Sequence, residues 1–230
     1  MDKDTPQPNL SADIYTVLKN RIIHWEYLPD HRLTEIGLCE EFGVSRSPVR
    51  EALNMLEEKG LVIKIPRQGY SVRQPNMEES YELYELRLAL ELYIVEQLAE
   101  KGMDGPNWQE LYNRWHSYLT ESLQIGENTS IQDEDFHESL AKALGNTAIY
   151  QKVKEVNERL HFIRMNDITT TERWRLTCEQ HLKILEMINK RDCEGARKSM
   201  KINIEEGRSN ADRAIKEALS NAYLKTKGHR

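Results

Sequence analysis

The residues best placed for chemistry in this 230-residue chain are a few polar side chains lying on otherwise apolar helical stripes. Asp133 and His137 stand four apart and run on into Ala141 and Leu144, so both lie on one helical face and point inward with it. His181 shares a stripe with Cys178, Leu185 and Ile188, and Asn203 shares one with Ala196, Met200 and Gly207. Three helices therefore send polar groups toward one interior. A carboxylate with two imidazoles supplies the donors that zinc, nickel or manganese accept. The same residues would equally form a hydrogen-bonded core cluster, because a buried carboxylate needs a partner in either case. If a metal kept an open position it could also activate water, as in a hydrolase, although no separate general base stands at a recognisable spacing.

A second set of residues is basic. Arg46 and Arg50 lie four apart at the N-terminal end of a helix expected over residues 46–59, off its apolar stripe of Val49, Ala52, Leu53 and Leu56, and Asn54 extends their line. A recognition helix presents its side chains to DNA from such a face, whereas an ordinary solvated face would carry the same charges to no purpose. The chain has a net charge of -6, which taken alone speaks against nucleic acid. Its distribution speaks the other way. From Val44 to Arg73, the six cations Arg46, Arg50, Lys59, Lys64, Arg67 and Arg73 face only Glu51, Glu57 and Glu58.

The elements that must position these residues follow from periodicity. Ile14, Val17, Leu18, Ile22 and Trp25 mark a first helix that ends before Pro29. Thr34 can cap a short second helix carrying Leu38 and Phe42, and Gly43 can stop it. The third helix, from Arg46, completes a helix-turn-helix. Val62 and Lys64, then Tyr70 and Val72, alternate around Pro66-Arg67-Gln68-Gly69 as two strands of a hairpin. From Met77 onward six helical segments follow without a strand pattern, separated by breaks at Gly102 to Pro106, Gly126 to Thr129, Gly145 to Thr147 and Thr169 to Thr171. The fold class expected is mostly α: a winged helix-turn-helix of three helices and a β-hairpin over 1–75, joined to an all-α bundle over 76–230.

The runs Pro29-Asp30-His31-Arg32-Leu33-Thr34-Glu35 and Glu41-Phe42-Gly43-Val44-Ser45-Arg46-Ser47-Pro48-Val49-Arg50-Glu51-Ala52-Leu53, followed by Gly60-Leu61-Val62, Gly69 and Val72, resemble the GntR family of transcription regulators. By that resemblance Arg46 and Arg50 read or clamp operator DNA, Ser45 and Ser47 stand beside them, and Gly69 lets the wing approach the minor groove. Arg67, at the wing tip, is a further expected DNA contact, and one to a phosphate would show in the salt dependence of binding. One departure is Ile36, where many relatives carry an arginine. The spacing Asp133-x-x-x-His137, running through Asp135-Phe136-His137-Glu138-Ser139-Leu140, then Gly145-Asn146 and Glu179-Gln180-His181, resembles the FCD ligand-binding domain, of the FadR subfamily and its six-helix, VanR-like form.

In metal-binding relatives the ligands are an aspartate and three histidines. This chain matches with Asp133, His137 and His181, while Asn203 stands at the last position with a weaker amide donor. Arg87 is the expected effector contact. A cation beside a metal suits a small carboxylate such as an organic or sugar acid, and a purely structural pair with Glu91 is the alternative. The resemblance implies a homodimer on double-stranded operator DNA, and a bundle that only dimerises is a rival to one that senses an effector.

Cys39, Cys178 and Cys193 are odd in number and unpaired in spacing, and read as reduced packing residues. No apolar run approaches the roughly 20 residues a spanning helix needs, and Met1 to Leu10 is acidic and proline-bearing, so no membrane partner and a cytoplasmic location are expected.

Overall fold

The computed structural model describes residues 10–120 and 129–227; Gly126 to Asn128 of the second expected break, and the stretch before Leu10, lie outside the described residues. The chain divides between Pro75 and Asn76 into two compact units, with the described residues from Glu217 to Lys227 grouped with the first.

The first unit holds α1 (Leu10–Ile23), β1 (Arg32–Leu33), α2 (Glu35–Phe42), α3 (Arg46–Glu58), β2 (Val62–Ile65) and β3 (Gly69–Val72). α1 packs on α3 through Ile14, Leu18 and Ile22 against Val49, Ala52, Leu53 and Leu56. Val17, expected on the buried stripe, is exposed, and the helix ends at Ile23, so Trp25 stands beyond it in a left-handed conformation. The short connection to α3 forms as its residues dictate. Thr34 accepts from the Gly37 N–H at 3.1 Å, and Gly43 closes α2 at φ 65°, returning its N–H to Cys39.

The hairpin expected from the sequence is the larger part of a three-stranded antiparallel sheet of order β1-β3-β2. β1 pairs Leu33 with Tyr70 and Arg32 with Ser71. Two residues are too short for an alternation pattern to reveal, so β1 had no sequence signature beyond its turn residues. Gly69 pairs with Ile65 across the hairpin at φ 93°, and a Cβ there would lie 2.6 Å from the Leu33 carbonyl oxygen. β1 can therefore approach β3 only where a glycine stands.

The second unit holds α4 (Met77–Lys101), α5 (Gly105–Thr120), α6 (Thr129–Ala143), α7 (Thr147–Arg164), α8 (Thr171–Asn189) and most of α9 (Cys193–Lys227). These are the six expected helices. Asn76, Asn146 and Thr170 cap α4, α7 and α8 with side-chain oxygens. α4 packs against α6, α7 and α8, α5 packs on α8, and α6 packs on α7. The Trp108 indole donates to the Leu185 carbonyl at 2.9 Å, which ties α5 to α8. Trp115, Phe136, Leu140, Val153, Leu160 and Leu185 are among the side chains that fill the centre.

The two kinds of left-handed glycine give a test. Gly43→Ala meets no atom within 4 Å and should cost about 1 kcal/mol from backbone conformation alone. Gly69→Ala adds the clash with Leu33 and should cost roughly 2 kcal/mol or more. Denaturant unfolding of both variants checks the order, and equal losses would contradict the tight β1–β3 approach.

Candidate functional site

In the first unit α3 stands with its N-terminal end exposed. Ser45 is its N-cap residue but makes no side-chain cap bond, and Ser45, Arg46, Ser47 and Arg50 are all exposed. Arg50 is held by Glu35 of α2 in a two-armed pair, Nε to Oε1 and Nη2 to Oε2, both at 2.9 Å. The hydrogen bonds from Arg50 keep the Glu35 carboxyl below its usual range. Sequence pattern placed Arg50 on an open face and did not reveal this partner, whose effect is to fix the guanidinium direction before any ligand arrives. Asn54 accepts from the Tyr70 hydroxyl at 2.9 Å, which links α3 to the wing.

Arg67 occupies the third position of a turn closed by the Gln68 N–H on the Ile65 carbonyl at 3.0 Å, with Pro66 second. Its φ is 64°, a conformation that glycine or asparagine usually takes there. Ile36 is 58 % exposed on the first turn of α2 and presents no charge.

The second unit gathers Asp133 and His137 of α6 and His181 of α8 into one buried centre, their donor atoms all within 4.8 Å of one another. Asp133 Oδ1 lies 3.2 Å from His181 Nε2 and 3.8 Å from His137 Nε2. Neither imidazole nitrogen is aligned to hydrogen-bond, and His137 Nε2, His181 Nε2 and His181 Nδ1 have no partner among the described residues. Two aromatic rings enclose His181: Phe136 stacks on it at 3.7 Å between centroids, and Trp115 meets it edge-on at 4.1 Å. Burial pushes the His181 imidazole down to about 3, against the pull of Asp133. It is therefore neutral at pH 7.

The other His137 nitrogen has a partner on α4. Nδ1 meets Glu91 Oε2 of α4, and Glu91 also takes the Nε–H of Arg87. Burial works to raise the Glu91 carboxyl, but the charges of Arg87 and His137 outweigh it and bring it to about 2. An ionised carboxylate only accepts, so Nδ1 carries a proton toward Glu91, and Nε2 is the nitrogen that faces Asp133. This carboxylate–histidine arrangement is the one that orients imidazoles in metal centres. Three convergent donors with two orphaned imidazole nitrogens fit a divalent transition ion.

The fourth position is less well provided. Asn203 is buried on α9, but its amide donates to Gln180 Oε1 at 3.0 Å, and Gln180 donates in turn to Glu206 at 2.6 Å. That contact ties α9 to α8. Arg87 forms the buried pair with Glu91 that was the alternative to an effector contact, yet its Nη2 has no hydrogen-bond partner among the described residues.

Two charged residues at this centre escaped the sequence reading. Arg164 of α7, 3 % exposed, grips Asp133 Oδ2 through Nη2 and Asn157 Oδ1 through Nη1 at 2.6 Å. Burial raises the Asp133 carboxyl, but Arg164 and the two imidazoles hold it well below its usual range. Arg173 of α8 binds Asp167 with both arms at 2.7 and 2.9 Å, and its buried Nη1 has no partner among the described residues. Asn157 and Arg164 lie seven apart on the stripe of Val153, Val156, Leu160 and Ile163, so the signal that picked out Asp133 was present for them too. The long stem of an arginine can reach solvent from such a position, which weakens the signal.

Comparison with known proteins places both units. Residues 10–72 match the bacterial regulatory proteins of the gntR family and residues 82–206 match the FCD domain. The HTH-type transcriptional regulator YdhC of Bacillus subtilis (strain 168) is 29% identical over 86% of this chain and 87% of its own. The Nta operon transcriptional regulator of Aminobacter aminovorans is 30% identical over 72% of this chain and 77% of its own. The structure of Lar, which controls expression of the Listeria monocytogenes agr system, covers 93% of this chain and 99% of its own at TM-score 0.60 and 25% identity. The chain belongs to the GntR family of bacterial transcriptional regulators, with a helix-turn-helix unit followed by an FCD effector-binding domain. Its relatives and domains are those of regulators, so the hydrolase alternative falls away. Among the described residues no helix is long and apolar enough to cross a membrane.

Buried, neutral His181 makes stability depend on pH. Its pKa in the fold lies below the ordinary value of 6.5, so between the two the unfolded chain binds a proton that the folded one refuses. That stability is complete above pH 6.5 and is lost as pH falls. Glu91 and Asp133 add losses of the same sign only at lower pH, where their unfolded forms protonate. Metal-stripped protein should lose about 1.4 kcal/mol per pH unit below 6.5 from this group. Urea midpoints taken between pH 7.5 and 5 check it, and a flat profile would contradict a neutral His181.

Proposed function

We propose that this regulator reads operator DNA with the exposed end of α3 and the wing tip, and that occupancy of the Asp133 centre changes its DNA affinity. The observation that carries the reading is the convergence of Asp133 Oδ1 with two orphaned imidazole nitrogens inside an FCD domain. Three protein donors with positions to spare suit zinc, nickel or manganese, and leave room for an effector oxygen. When bound, the ion supplies an electrophilic anchor for an anionic group. Arg87 would offer its unpartnered Nη2 to such an anion while Glu91 holds its Nε. A small organic or sugar acid is therefore the effector class assigned.

On the DNA side, Arg46 and Arg50 contact base edges or phosphates, Ser45 and Ser47 flank them at the helix N-terminus, and Arg67 reaches a phosphate from the wing. Gly69 serves that contact indirectly, by letting β1 support the hairpin. One reading head spans few base pairs, so two copies acting as a homodimer on a two-fold operator supply the affinity. Leu86 and Tyr93, exposed seven residues apart on α4, are assigned to the partner surface.

An operator selected in vitro against the purified protein tests the DNA reading. Arg46→Ala and Arg50→Ala should each weaken binding about ten- to a hundredfold without shifting the unfolding of the bundle. Arg67→Gly suits the turn conformation, so it should leave the wing folded yet reduce the slope of log affinity against log salt by about 1. Wild-type affinity in all three would place the DNA surface elsewhere. For the centre, zinc titration of stripped protein should show one site, lost in His137→Ala and in His181→Ala and tightened in Asn203→His. Full zinc content in both alanine variants would mean that the ligands lie elsewhere.

A further inference from the structure

The buried charges around the centre are paired one to one: Arg87 with Glu91, Arg164 with Asp133, and Arg173 with Asp167. These pairs set each of the three buried guanidiniums against a carboxylate without a metal. Among the three arginines of this set, Arg164 is bonded directly to a proposed ligand. It takes Asp133 Oδ2 and leaves Oδ1 to face the two histidines. Asn157 fixes it from the far side, and Asn157 is itself held by Glu138 through its Nδ2 at 3.1 Å. The guanidinium is thus built into the centre.

A divalent ion entering here brings two positive charges to a carboxylate whose charge a buried arginine already offsets. Like charges at such separation in a partly desolvated interior repel strongly. Removing the arginine has the opposite consequence. Asp133 would be left as an uncompensated buried carboxylate, which destabilises the metal-free fold far more than the loaded one. An interaction that stabilises the empty state more than the occupied state lowers affinity by that difference.

We propose that Arg164 is the resident cation of this centre: it keeps Asp133 compensated when no metal is bound, and so makes the metal an exchangeable ligand whose affinity Arg164 holds down. The inference rests on the metal reading given above. It assigns the regulator a folded metal-free state, with the ion acting as a signal that comes and goes and not as a fixed structural part.

The test uses full-length protein stripped with a chelator, titrated with zinc and melted with and without it, as wild type, Arg164→Gln and Arg164→Lys. Binding is counted as that lost in His181→Ala. Stripped wild type should melt cooperatively with the helical content of the loaded protein. Stripped Arg164→Gln should melt lower, bind zinc at least tenfold more tightly than wild type, and gain more melting temperature from zinc. Arg164→Lys keeps the charge and should stay closer to wild type than to Arg164→Gln. Equal or weaker zinc binding by Arg164→Gln, in the presence of wild-type binding, overturns the proposal and leaves the metal reading standing. Zinc binding by Arg164→Gln but not by wild type supports both. No zinc on any of the three removes the metal reading and this inference together. Should Arg164→Gln yield no folded protein, the stripped wild type decides: loss of its fold on chelation overturns the proposal, and retention supports it.

Discussion

A single buried carboxylate, Asp133, sets the terms for the second unit. An ionised group in an apolar bundle is tolerated only if it is paired and hydrogen-bonded, and the surrounding helices meet that demand from several directions. α7 brings Arg164 and Asn157, α8 brings His181, and α6 itself brings His137 one turn on. The consequence spreads outward. His137 is oriented by Glu91, Glu91 is held by Arg87, and both lie on α4. Four of the six helices of the unit are thus tied to one centre by polar contacts that an apolar core would not need.

That arrangement gives the proposed sensing a covalent route to DNA. α4 follows the wing after only four residues, since β3 ends at Val72 and α4 starts at Met77. Arg87 and Glu91 stand in its third and fourth turns. Any ligand that draws on Arg87 Nη2 acts on the element that the reading head is attached to. The head is preorganised independently: Glu35 aims Arg50, Thr34 and Gly43 set the angle between α2 and α3, and Tyr70 ties the wing to Asn54. A rigid head whose attachment shifts is the kind of two-state element through which an effector can change DNA affinity.

The sequence was most readable where local chemistry decides structure. Thr34 and Gly43 named the ends of α2, the Pro66–Gly69 turn named the hairpin, and the six helices of the bundle followed from their apolar spacing. Asp133, His137 and His181 stood out because each is short and polar on an inward face, with no route to water. Features that depend on distant partners were not readable. β1 exists because Gly69 lets it approach β3, and Val17 faces solvent because α3 covers a narrower strip of α1 than the periodicity suggested. Arg164 was hidden by its long side chain, and the role of Glu91 toward His137 needs two helices brought together before it exists. Asn203 lies on the inward stripe it was assigned to, but its amide answers to Gln180 of α8.

The central claim is that Asp133 Oδ1, His137 Nε2 and His181 Nε2 together hold one metal ion. Anomalous diffraction from crystals of the full-length protein grown with zinc addresses it most directly. The account predicts one peak at about 2.0 to 2.2 Å from those three atoms, with Arg164 still on Asp133 Oδ2 and Glu91 still on His137 Nδ1. A zinc-bound crystal whose peak lies elsewhere, or in which these side chains are bonded only to one another, would contradict it.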